Sequence, residues 1–86
     1  MRQLNIDKSA QKQLDRVDKP TRNRIIDGIL GLLQEPPQGN IKALKGQLQG
    51  LDRLRIGNWR ITYEVTDESV NILEISPRGG AYRKGV

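Results

Sequence analysis

From Leu51 to Val65 the chain alternates apolar and polar residues on both sides of Gly57-Asn58. A two-residue period marks a strand with one covered face, and two such runs joined by a two-residue turn form a β-hairpin. Leu54 and Ile56 take one face, with Trp59, Ile61, Tyr63 and Val65; Arg53, Arg55, Arg60, Thr62 and Glu64 take the other. Thr66-Asp67-Glu68-Ser69 is the next turn. A third run, Val70 to Ile75, is apolar on both faces, which predicts a central, well-covered strand. Pro77 ends it, and residues 78–86 carry no core pattern.

The first half of the chain has another period. Residues 2–6 alternate, with Leu4 and Ile6 on one side, and predict a short strand. Asp7 stands where a helix N-cap belongs. Ala10, Leu14 and Val17 then follow at i, i+4 and i+7, one apolar stripe along a helix. Pro20 suits the first turn of a second helix, whose band runs through Ile25, Ile26, Ile29, Leu30, Leu32 and Leu33. Gly28 and Gly31 inside that band predict close packing against a helix or the sheet. Pro36-Pro37 is expected to end the helix, with Gln38-Gly39-Asn40 continuing as loop.

The short link between the helices makes them an αα-hairpin. Burying both the helical band and one sheet face requires laying the helices across the sheet. The expected class is α+β: an N-terminal strand and an α-helical hairpin packed on one face of a small, mostly antiparallel sheet. Eighty-six residues suit a single domain, 1–86. The other sheet face stays open, and function is sought there.

Composition narrows the chemistry. The chain has no cysteine, which excludes disulfides and thiolate metal sites, and no histidine, the commonest general base. Acid–base work falls to carboxylates, Lys, Arg or Tyr. Trp59, Tyr63 and Tyr82 are the only aromatics, too few for a multi-base stacking platform. No apolar run approaches the ~20 residues that span a bilayer, and residues 1–6 lack a signal-peptide core, so a cytoplasmic protein without a membrane partner is expected. Fifteen Lys and Arg against ten Asp and Glu give a net charge of +5, which favours a polyanionic partner.

That charge is unevenly placed. Lys42, Lys45, Arg53, Arg55 and Arg60 face a single acid, Asp52, between residues 42 and 60. From 64 to 74 every charge is acidic: Glu64, Asp67, Glu68 and Glu74. Arg78, Arg83 and Lys84 lie in the tail. Arg53 and Arg55 project from one side of a strand about 6.5–7 Å apart, and Arg60 joins them across the turn. Like charges so close repel, so folding alone does not favour the cluster. Phosphate explains it well, because guanidinium grips its oxygens bidentately. An ordinary solvated face, relieved by Glu64 or Glu74, is the other explanation.

Tyr82 also has two explanations. Its ring packs on the domain as a tail anchor, or its phenol sits over the cationic face, which favours phenolate. A phenolate there can take the proton of a ribose 2′-hydroxyl, with the arginines on the phosphoryl oxygens. Guanidinium is a poor proton donor, so its help to the leaving group is electrostatic, with water or Lys as proton source. Gly46-Gln47-Leu48-Gln49-Gly50 lacks the ending of a phosphate loop, and Asp67-Glu68 belongs to a turn.

Three stretches carry a family resemblance: Leu44-Lys45-Gly46, the hairpin Leu51 to Val65, and Ser76-Pro77-Arg78-Gly79-Gly80-Ala81-Tyr82-Arg83. The hairpin is similar to the x-R-L-R-x-G-x-[WY]-R-[IV]-x-Y pattern of the RelE/ParE superfamily of toxin–antitoxin toxins. The last stretch is similar to the H-R-x-x-x-Y ending of its RelE branch. The resemblance implies a microbial-RNase-like fold and a metal-independent endoribonuclease that cuts mRNA in the ribosomal A site by 2′-hydroxyl attack. It implies two partners, the ribosome with its mRNA and a cognate antitoxin that wraps an acidic or amphipathic segment around the toxin. No cofactor or metal is expected. The catalytic residues it implies are Arg53, Arg55, Arg60, Arg78 and Tyr82; Lys42, Lys45, Arg83 and Lys84 are candidate RNA contacts. The chain departs from the pattern at Arg53 and Arg55, where lysines are usual, and at Pro77, where histidine is common. The alternative within the superfamily is a ParE-type toxin, which inhibits DNA gyrase by protein contact and needs no nuclease site.

Overall fold

The computed structural model describes residues 2–77; Arg78, Tyr82, Arg83 and Lys84 lie outside the described residues. The element order is β1 (Gln3–Ile6), α1 (Lys8–Arg16), α2 (Lys19–Gly31), β2 (Asn40–Ala43), β3 (Asp52–Ile56), β4 (Trp59–Val65) and β5 (Ser69–Pro77), with one 3₁₀ turn at Gly46–Leu48. The five strands form one sheet in the order β1-β5-β4-β3-β2. Only β1 and β5 pair in parallel. Because β1 and β2 occupy opposite edges, the helical hairpin between them must cross the sheet. It covers one face, with α1 over β5 and α2 over β3. The expected α+β class is the one observed.

The covered face is the core. Leu14, Ile25 and Ile29 from the helices meet Leu54, Ile61, Tyr63, Val70, Ile72 and Ile75 from the sheet, all buried. Each such side chain contributes about 1.5–3 kcal/mol of burial. Gly28 shows how close the layers come: a Cβ there would run into the Ile56 side chain, so its packing partner is the sheet. Arg22 ties the helices together. It donates to the carbonyls of Leu14 (3.2 Å), Asp15 (3.2 Å) and Val17 (3.1 Å) at the end of α1, where Leu14 O also accepts from the Val17 N–H (3.4 Å).

Four local expectations are corrected. Asp7 occupies the N-cap of α1 but its side chain makes no capping bond; Asp18 caps α2, accepting from the Thr21 N–H at 3.4 Å. The second helix ends at Gly31, ahead of Pro36, and the chain winds down through shorter-range turns such as Leu33 N–H to Leu30 O at 3.1 Å. Asn40, expected as loop, opens the edge strand β2, which runs to Ala43 through residues for which the sequence pattern predicts no element. Finally, β5 is central but not apolar on two faces. A bulge shifts its register, because Thr62 pairs with Glu74 while Tyr63 pairs with Ile72, leaving Leu73 as the extra residue. The phase flips there, so Val70, Ile72 and Ile75 all reach the same core.

Candidate functional site

The hairpin turn sets the geometry. Gly57 has φ of +57° and Asn58 has no positive φ, as a II′ turn requires. Ile56 then faces Trp59, and Arg55 faces Arg60 directly across the strands. Directly opposed side chains have Cβ atoms about 4.5–5.5 Å apart. Arg53 lies two residues along β3 on the same face, opposite Thr62 on one side and Lys42 of β2 on the other. The expected convergence of Arg53, Arg55 and Arg60 on the open face is present, and β2 adds Lys42 to it.

These side chains line an open concavity of about 370 Å³, together with Lys45 and the Ala43-Leu44 segment. Arg53 Nη1 donates to the backbone oxygen of Asn40 (3.1 Å) and to its Oδ1 (3.4 Å). Among the described residues, Lys42, Lys45, Arg53 and Arg55 form no ion pair, the recorded one being Arg2 with Glu35 at 3.2 Å. Asp52 gives no relief, because it alternates with Arg53 onto the covered side, opposite Tyr63. Arg60 is half-buried. Burial first, then the charges of Arg53 and Arg55, pull its guanidinium below the usual arginine range, and Glu74 opposes them.

The open face is divided. Across β1, β5 and β4 it carries a hydrogen-bonded row: Asn5 Nδ2 donates to Asn71 Oδ1 (2.9 Å), and Asn71 Nδ2 donates to Glu64 Oε1 (3.2 Å). Glu64 is thus engaged with β5, and Glu74 stands opposite Thr62 next to Arg60. Cations occupy the β2-β3-β4 half; amides and carboxylates occupy the other.

Tyr63 is 2% exposed, and burial with Asp52 nearby pushes its phenol up to about 12, so it is no proton acceptor at neutral pH. Sequence reasoning singled out Lys42 by charge alone and missed Asn40. Nothing in Asn40-Ile41-Lys42-Ala43 signals that this segment pairs with β3. No group of three or more Asp and Glu capable of holding a metal occurs among the described residues.

Comparison with known proteins places this architecture. The family described as "ParE toxin of type II toxin-antitoxin system, parDE" matches residues 4–82. A protein named Toxin RelE from Mycobacterium tuberculosis is 29% identical over 77 residues, 87% of this chain and 79% of that protein. The archaeal RelE-RelB complex from Pyrococcus horikoshii contains a chain superimposing with a TM-score of 0.76 at 29% identity, over 92% of this chain and 97% of that one. The isolated E. coli RelE toxin shares the fold, with a TM-score of 0.75 at 19% identity over 99% and 95% of the two chains. The chain belongs to the ParE toxin family of type II toxin–antitoxin systems, within the RelE/ParE superfamily.

Proposed function

We propose that this toxin is a RelE-type endoribonuclease that cuts mRNA in the ribosomal A site and is held inactive by a cognate antitoxin. The observation that carries this is the gathering of cations from three strands, β2, β3 and β4, in one concavity. Like-charge clustering costs stability, and a phosphodiester is the ligand whose geometry guanidinium pairs match. In the reaction, Tyr82 takes the proton of the 2′-hydroxyl. The 2′-oxygen forms a bond to phosphorus while the bond from phosphorus to the 5′-oxygen breaks. Arg53, Arg55, Arg60 and Arg78 stabilise the charge gathering on the phosphoryl oxygens. Water or a lysine protonates the departing 5′-oxygen, and a 2′,3′-cyclic phosphate remains. Related solved structures are complexes with RelB antitoxins, which supports a protein partner here too. No described helix is long and apolar enough to cross a membrane, and a cytoplasmic site of action follows from the ribosomal substrate.

The test is primer extension on mRNA from programmed ribosomes. Codon-phased cuts are expected. Arg60→Ala and Tyr82→Phe should each lose about 100-fold or more of the rate, the scale for one charge-stabilising or proton-accepting group, with unchanged circular dichroism. The matched family's ParE name favours a second reading, a gyrase inhibitor. Intact mRNA together with trapped gyrase–DNA cleavage complexes would replace the first reading with the second.

A further inference from the structure

Four of the five cations lining the concavity fall into two cross-strand pairs, Lys45 standing outside them. Arg55 opposes Arg60 across β3 and β4, and Lys42 opposes Arg53 across β2 and β3. The pairs are offset by two residues along β3, about 6.5–7 Å. Arg53 is drawn toward β2, because its Nη1 donates to two oxygens of Asn40. The Nε–H and the two Nη2 N–H groups remain for a ligand. Space is not limiting: about 370 Å³ is roughly a dozen water volumes at ~30 Å³ each, more than one phosphate group fills.

Resting on the reading of this face as an RNA site, we propose that β2 supplies a second phosphate subsite, where Lys42 holds the phosphate next along the strand from the one gripped by Arg55 and Arg60, with Arg53 shared between the two. The substrate strand then runs across β4, β3 and β2 rather than along any one of them. The other half of the face argues for nucleic acid over an acidic protein segment. Asn5, Asn71, Glu64 and Glu74 present amide and carboxylate groups beside the cations. Bases bring N–H donors and acceptors that suit those groups, whereas an acidic peptide continuing across the sheet meets Glu64 and Glu74.

The experiment uses the full chain and two uncleavable probes, 2′-O-methyl ApA with one phosphate and 2′-O-methyl ApApA with two, titrated at low salt. The wild type should bind ApApA roughly threefold or more tightly than ApA, the increment of one exposed charge contact. Lys42→Gln should abolish that increment, weakening ApApA more than ApA; Lys42→Arg should restore it. Equal weakening of both probes by Lys42→Gln, or an increment that survives it, would overturn the subsite. So would pentaglutamate that binds more tightly than ApApA and depends on Lys42, since the pair would then be built for a protein. The two readings fail separately: an intact increment with uncut mRNA sinks the nuclease and supports the subsite, and codon-phased cutting with no increment does the reverse.

Discussion

Replacing Arg55 with Gln should stabilise this protein while weakening its function. Arg55 is exposed, makes no hydrogen bond or ion pair among the described residues, and directly opposes Arg60 with Arg53 two residues away. Removing it leaves no buried group unsatisfied and deletes two repulsions. Like charges opposed across strands cost about 0.2–1 kcal/mol per pair, so the gain at low salt is about 0.5–1 kcal/mol. For a chain of this size that raises Tm by about 2–8 °C. The assay is urea and thermal unfolding of wild type and Arg55→Gln at 0.01 M and 1 M salt. The Debye length falls from about 30 Å to about 3 Å over that range, so the gain should vanish at 1 M. Saturating single-stranded RNA should reverse the order, because a ligand of the folded state stabilises the better binder more. A variant less stable than wild type at low salt, or a gain that persists at 1 M, would refute electrostatic crowding on this face.

Two further outcomes follow from the packing. Arg22→Ala should cost about 1–2 kcal/mol in urea unfolding, because three carbonyls at the end of α1 lose a charged donor; Arg22→Lys, lacking the fork, should recover only part of it. Tyr63 links stability to alkaline pH. Its folded phenol is raised from 10.0 to about 12, so the unfolded chain ionises first. The contribution is full below pH 10 and is lost as pH rises toward 12. Urea unfolding across that range should show the decline in wild type and a flatter profile in Tyr63→Phe.

The parts legible in the sequence are those where local pattern and tertiary burial agree. The hairpin from Leu51 to Val65 carries its register in its turn, so the common face of Arg53, Arg55 and Arg60 follows from period two alone. β2 was not legible, because Ile41 is its one strong strand former and Gly39-Asn40 reads as turn; only pairing with β3 makes it a strand. With β2 went the partnership of Lys42 with Arg53 and the hold of Asn40 on Arg53. The β5 bulge was illegible for another reason. One inserted residue, Leu73, mimics a strand apolar on two faces when it marks a change of phase. Asp7 and Asp18 carry the same capping chemistry, and only the structure tells that Asp18 uses it.

The most direct measurement is an NMR titration of the full chain with a 2′-O-methylated single-stranded RNA hexamer at several salt concentrations. Perturbations should concentrate on Lys42, Lys45 and the guanidinium groups of Arg53, Arg55 and Arg60. The logarithm of affinity should fall with that of salt at about −0.7 per phosphate held. Perturbations spread over α1 and α2, or an affinity indifferent to salt, would contradict an RNA backbone seated on the open face of the sheet.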